Sequence, residues 1–106
     1  YTGQTPTLQW SELEDALRDP NTVLVDVRTS TEHEAGAIPG SINLDVNHLR
    51  DHLDQLQGKK VIAHCQVGQR GHTAVQLLKG HGIDATNLDG GYLTWRSGND
   101  AKSRIK

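Results

Sequence analysis

Two short apolar runs constrain this chain more than anything else in it. Val23-Leu24-Val25-Asp26-Val27 and Val61-Ile62-Ala63-His64 are continuous rather than alternating. A strand with one wet face alternates apolar and polar residues, whereas a strand covered on both faces does not need to. Helical spacing surrounds both runs: Leu13, Ala16 and Leu17 precede the first, and Ala74, Val75, Leu77 and Leu78 follow the second. Strands that alternate with helices lie parallel in one sheet. The expected fold is therefore α/β, with a central, mainly parallel sheet flanked by helices on both faces. With 106 residues there is room for one such domain and no second core.

Local signals divide the chain further. Ser11-Glu12-Leu13-Glu14 reads as a capping box that opens the first helix, and Asp19-Pro20-Asn21 ends it. Thr29-Ser30-Thr31-Glu32 is a second capping box, opening a short helix that stops at Gly36. Residues 41–44 suit a short strand, and Asn47 suits the cap of a helix carrying Leu49, Leu53 and Leu56 and closed by Gly58. Residues 85–88 form a last strand. Asp89-Gly90-Gly91 then makes a tight connection to a helical turn through Trp95. Residues 1–6 read as a linker, 7–98 as the domain and 99–106 as a polar tail. The start, Tyr1-Thr2-Gly3, lacks a Met and reads as a piece cut from a longer polypeptide. Phe and Met are absent, so the core is left to Leu, Val, Ile and Ala.

Several function classes find no support. Net charge is −2 and the Lys and Arg residues are scattered, which is no footprint for nucleic acid. Apolar stretches run to about five residues against the ~20 needed to cross a bilayer, so no membrane association is expected. No charged-then-apolar leader opens the chain. The single Cys65 cannot form an internal disulfide and fits a reducing compartment, here read as the cytoplasm. His48 and His52 stand four apart, but no third ligand accompanies them and position 49 is Leu. Neither a metal nor a cofactor is expected.

The second run delivers the chain directly to Cys65-Gln66-Val67-Gly68-Gln69-Arg70-Gly71. In a parallel sheet, ligands sit beyond the carboxyl ends of the strands. A helix expected to begin near Gly71 turns its positive dipole end toward the sulfur, which favours the thiolate, the nucleophilic form. Gly68 and Gly71 let successive N–H groups face inward, and Arg70 adds a fixed positive charge. Such a cradle suits one anionic sulfur, and a persulfide on Cys65 places its outer sulfur at the centre. His64 neighbours Cys65, but adjacent strand residues point to opposite faces, so no Cys–His dyad is expected. His72, in the first turn after the loop, is better placed than His64 to contact a substrate, but the expectation for it is a solvent-exposed side chain. Asp26 and Arg28 flank Val27 at the other strand end. Asp26 could bond loop amides, but the expected role of Asp26, Arg28 and Glu32 is structural support of the site, with Arg28 and Glu32 paired to pin the next helix.

Taken in order, these segments resemble the rhodanese homology domain. Leu24-Val25-Asp26-Val27-Arg28 with Glu32 is similar to its first signature, and residues 36–43, Gly-Ala-Ile-Pro-Gly-Ser-Ile-Asn, to its second. Residues 65–70 resemble its active-site loop, and Leu88-Asp89-Gly90-Gly91 with Trp95 its closing motif. The resemblance implies a sulfurtransferase that forms a persulfide on Cys65, with residues 66–71 binding substrate. It also implies that six residues from Cys through Arg mark sulfur transfer, whereas related phosphatases and arsenate reductases have seven; the count here is six. The phrase Val67-Gly68-Gln69-Arg70-Gly71 is similar to the rhodanese domain at the C-terminus of flavin-dependent coenzyme A-disulfide reductases. That likeness implies a fused flavoprotein, with thiosulfate, polysulfide or coenzyme A persulfide as donor and a thiol as acceptor. Two positions depart from the family: His33 stands where an aromatic is common, and Ala37 where a His is common. The polar, uncharged Gln66 and Gln69 make thiosulfate a weaker donor. Two readings compete: a non-catalytic docking or regulatory domain, although members of that kind usually lack the Cys, and, behind it, a phosphatase or arsenate reductase, against which the six-residue loop argues.

Overall fold

A computed structural model describes residues 7–66, 69–88 and 92. The two apolar runs become β2 (Thr22–Asp26) and β4 (Lys60–His64), adjacent and parallel, with Asp26 opposite His64. β5 (Asp84–Leu88) joins β4 on its other side, β3 (Ile42–Asn43) extends β2, and β1 (Thr7–Leu8) pairs with β5. Among the described residues the sheet has five strands in the order β1-β5-β4-β2-β3, all paired in parallel. β4 is therefore the central strand, and its carboxyl end is the middle of the sheet edge.

Strand alternation divides the core in two. Val25, Val27, Val61, Ala63, Cys65 and Ala85 face α3 (Leu53–Leu56) and α4 (Gln69–Gly80), packing against Leu56, Ala74, Val75 and Leu78. Leu24, Ile62 and Leu88 face the other way, onto Leu13, Ala16 and Leu17 of α1 (Leu13–Leu17). With Phe absent, these aliphatic side chains carry the core. Burial of each contributes about 1.5–3 kcal/mol for Val, Leu or Ile.

The expected helix starts needed revision in three places. The box at Ser11 does not form: a 3-10 turn, Trp10–Glu12, leads into α1, and Glu12 turns back so that its Oε1 accepts from Gln9 N at 3.1 Å. At the third helix the cap is Asp45, not Asn47; its carboxylate accepts from Asn47 N at 3.0 Å and opens a 3-10 turn, Val46–His52, that continues into α3. α4 begins at Gln69, two residues ahead of Gly71. The box at Thr29 forms as expected, and opens α2 (Ser30–Ala35) with Gly36 as its last cap. The expected linker 1–6, the connection at 89–91, Trp95 and the tail 99–106 lie outside the described residues.

Candidate active site

Cys65 is the first residue past β4, at the centre of the carboxyl edge, and α4 opens four residues later. Its side chain is 1% exposed and packs on the α4 side of the sheet. The sulfur therefore lies at the floor of the strand end rather than on the surface. Val67 and Gly68, the middle of the loop, lie outside the described residues. Tyr92 N donates to Cys65 O at 2.7 Å and fixes the peptide that follows the cysteine.

On the opposite face, strand alternation puts Asp26 and His64 side by side. Both are fully buried. Asp26 accepts from Arg28 N and Nε at 2.9 Å through Oδ1, and from Arg28 Nη2 at 2.7 Å through Oδ2. His33 Nδ1 lies 2.8 Å from the same Oδ2; because a carboxylate there accepts, that nitrogen carries the proton. Burial alone would push the Asp26 carboxyl up; the bonds from Arg28 and His33 outweigh it and hold the group below the usual range. Asn43 Nδ2 donates to the carbonyls of Asp26 and Arg28 at 3.0 and 2.9 Å, which clamps the turn after β2.

Arg28 carries this cluster to the loop. It is 2% exposed, and it donates through Nη2 to Gly36 O at 2.6 Å and through Nη1 to Gln66 Oε1 at 3.0 Å. Its guanidinium lies 4.4 Å from the centroid of the Tyr92 ring, within cation–π range. A Cβ at Gly36 would come within 2.7 Å of Tyr92 Oη, so only glycine admits this close approach.

Glu32 makes a different connection. Its carboxylate is held by Arg70 in a two-point contact, Nη1 to Oε1 at 2.7 Å and Nη2 to Oε2 at 2.9 Å. The Arg70 bonds bring the Glu32 carboxyl down to about 2, and Glu32 in turn raises Arg70. The expected Arg28–Glu32 pair therefore does not form. Arg28 shares a strand end with Asp26 and folds back on it, which leaves Glu32, the third residue of α2, to reach the first turn of α4. Arg70 is correspondingly not an uncompensated charge beside the sulfur: Glu32 neutralises it.

Two further expectations change with the geometry. Gly71 is not a bend; it sits within α4, and a Cβ there would collide with Asn87 Oδ1. Its role is close packing of α4 on β5. Asn87, 1% exposed, was not singled out from sequence, since one Asn in a five-residue strand carries no signal of its own. Gln66 is half-buried beside the cluster, and the backbone of Gln69 opens α4. The His64 side chain faces away from that of Cys65, as strand alternation requires, and among the described residues neither ring nitrogen makes a well-aligned hydrogen bond, although the Cys65 backbone lies close enough to favour the protonated ring. Burial lowers its pKa to about 4. His72 is half-buried in the first turn of α4. His52 bonds Gln55 on the surface, and among the described residues no group of three metal-ligating side chains occurs. No described helix is long and apolar enough to cross a membrane.

A sequence profile described as the rhodanese-like domain matches residues 9–98. The human thiosulfate:glutathione sulfurtransferase is 32% identical over 106 residues, covering 85% of this chain and 92% of that protein. The tRNA uridine(34) hydroxylase of Bacillus velezensis is 29% identical over 99 residues, which is 86% of this chain but 31% of the hydroxylase. Among solved structures, reduced Bacillus anthracis CoADR-RHD superposes with a TM-score of 0.79 at 35% identity, covering 86% of this chain and 16% of that one. The chain thus spans about a third or less of the longer proteins it resembles and nearly all of the single-domain sulfurtransferase. Together the parallel five-stranded sheet, the cysteine at the end of its central strand and a profile match over residues 9–98 establish that this chain belongs to the rhodanese-like domain family.

Proposed function

We propose that this chain is a sulfurtransferase that carries sulfane sulfur as a persulfide on Cys65 and passes it to a thiol. The observation that carries the reading is the lone cysteine at the carboxyl end of the central strand, four residues ahead of the N-terminus of a twelve-residue helix. A helix N-terminus at that spacing offers its positive dipole end to a developing thiolate or persulfide anion, and in this reading the loop amides complete the cradle. In the first half-reaction the Cys65 thiolate attacks the outer sulfur of thiosulfate. The sulfur–sulfur bond of the donor breaks, sulfite leaves with the electron pair, and Cys65–S–S⁻ remains. In the second, an acceptor thiolate attacks the outer sulfur, Cys65 leaves as thiolate and the acceptor departs as its persulfide. No external oxidant or reductant enters.

In this reading the loop from Gln66 to Arg70 binds the outer sulfur, Gly71 lets α4 pack close behind it, and Asp26, Arg28 and Glu32 support the loop. Arg28 steadies Gln66, and Glu32 holds the first turn of α4 through Arg70. Burial of Cys65 restricts access to small or extended partners, thiosulfate and thiol arms among them. A thiol that must return to its reduced form suits a reducing compartment such as the cytoplasm. The likeness to CoADR-RHD supports fusion to a flavin-dependent disulfide reductase, with coenzyme A persulfide or polysulfide as an alternative donor.

The test is intact-protein mass after exposure to thiosulfate or coenzyme A persulfide. One sulfur, about 32 Da, is gained by the wild type and lost again on adding thiol, and Cys65→Ser gains nothing. A wild type that takes up no sulfur from any sulfane donor refutes the proposal.

A further inference from the structure

Gln66 follows the cysteine directly, and one contact fixes its side chain: Oε1 accepts from Arg28 Nη1. Arginine has donors only, so the amide cannot be turned over, and its Nε2 faces away from the guanidinium. Among the described residues Nε2 meets no acceptor. Arg28 commits four of its five N–H groups, to Asp26 twice, to Gly36 O and to Gln66. The fifth, without an acceptor among the described residues, is on Nη1, the same nitrogen that binds Gln66 Oε1.

These groups border a depression of about 200 Å³ formed by Arg28, Glu32, Ala35, Gly36, Gln66 and Tyr92. Its charges cancel, because Arg28 is matched by Asp26 and Glu32 by Arg70. Its lining residues bring three N–H donors unused among the described residues, a methyl group, a bare glycine and an aromatic ring. A phosphate would need uncompensated positive charge, and a cation would need free acceptors. An oxygen of a carboxylate or an amide carbonyl needs neither. The volume lies below the 300–1,000 Å³ of a site that encloses a whole small molecule, so it suits one arm of a ligand. Tyr92 and Gln66 both line it, and Tyr92 N binds Cys65 O, so the pocket begins one residue from the reacting sulfur.

The geometry points to this depression as the seat for the arm of the thiol acceptor, with Gln66 Nε2 and Arg28 Nη1 receiving a carboxylate or amide oxygen while the thiol reaches Cys65. The assignment rests on the sulfurtransferase reading above. Acceptors that carry such an oxygen two or three bonds from the thiol carbon are its substrates, and plain alkyl thiols are poor ones.

Three thiols of similar length test it: 3-mercaptopropionate, 2-mercaptoethanol and cysteamine, as acceptors for the full chain turning over thiosulfate. For each protein, kcat/KM is expressed relative to 2-mercaptoethanol, and comparing variants with the wild type cancels the intrinsic reactivity of each thiol. In Gln66→Leu the relative value for 3-mercaptopropionate falls at least about fivefold, mostly through KM, as expected for lost hydrogen bonds to a charged group. Gln66→Glu keeps its contact with Arg28 as an ion pair, so it tests the idea even where the Leu variant folds poorly. There the relative value for 3-mercaptopropionate falls further and that for cysteamine rises. Relative values unchanged in both variants, in protein that gains sulfur by mass, overturn the acceptor seat alone. A wild type that never gains sulfur overturns the underlying reading and the seat with it.

Discussion

Asp26→Asn should destabilise this domain more than any other near-isosteric change at the site. In the wild type the carboxylate is 0% exposed and Arg28 2%, so the pair is fully removed from water. The Asn amide can keep its oxygen where Oδ1 now accepts from Arg28 N and Nε. Its NH2 group must then stand at Oδ2, facing Arg28 Nη2, and two donors meet where a 2.7 Å bond was. His33 escapes the same conflict by moving its proton to the other ring nitrogen. What remains is a buried guanidinium without its counter-charge. Breaking a buried pair from one side costs about 3–5 kcal/mol, and the bonds retained at the Asn oxygen put the loss near 3 kcal/mol. At roughly 4–8 °C per kcal/mol for a domain of this size, Tm drops by about 12–24 °C. Urea unfolding followed by circular dichroism reads the free energy directly. Arg28→Met supplies the cross-check: it leaves a buried carboxyl without its cation, whose pKa must rise above the unfolded value. Its penalty relative to wild type is therefore full at pH 8 and shrinks as the pH falls through that raised pKa, whereas that of Asp26→Asn holds down to the ordinary carboxylate range and shrinks only below it, where the wild type loses its own carboxylate. A loss below about 1 kcal/mol in Asp26→Asn would refute the claim that charge pairing, and not packing, holds this corner.

Three other changes follow from the same contacts. His64, near 4 when folded against 6.5 when exposed, takes up a proton more readily in the unfolded chain, so stability is full above pH 6.5 and falls as pH drops toward 4. Between pH 7 and pH 5 that loss is about 2 kcal/mol. His64→Leu should flatten this slope and, by removing two buried ring nitrogens with no well-aligned bond among the described residues, stabilise at pH 7 by about 1 kcal/mol, both measured from denaturant midpoints at the two pH values. Gly71→Ala should cost about 1–3 kcal/mol by overpacking against Asn87, and Asn87→Ser should restore part of the loss in the double variant, an additivity test by thermal melts. Glu32→Gln removes a pair whose members are each about one-third exposed, so water weakens it and the stability loss stays at about 1 kcal/mol or less. Its larger effect should fall on the rate of sulfur loading, through a loosened first turn of α4.

The fold was legible because its signals repeat. Two unbroken apolar runs define the buried strands, and Thr29 with Glu32 defines α2 through a reciprocal contact that needs only four residues. β1 was not legible: two residues show no period, and Thr7–Leu8 is a strand only because β5 offers an edge. The failed box at Ser11 and the cap at Asp45 differ from expectation by a few residues, the range over which competing polar side chains near a helix start can exchange roles. Gly71 was misread for a deeper reason. A glycine in a loop-like sequence suggests a bend, but here it is needed by Asn87, sixteen positions away and across the helix–sheet interface.

Pairing shows the same boundary between local and long-range information most clearly. Sequence proximity made Arg28 and Glu32 natural partners, and both are indeed paired, but with Asp26 and Arg70. The exchange has a functional consequence. An Arg28–Glu32 pair would tie α2 to its own strand and leave Arg70 as a free charge beside the sulfur, drawing in any anion. The observed pairs instead run from β2 to Gln66 and from α2 to α4, so both elements flanking the loop are fixed from outside it and both charges are matched. Selection at such a site must then come from hydrogen-bond donors and shape, not net charge, which is why Gln66 and not Arg70 is the residue whose substitution should separate one acceptor from another.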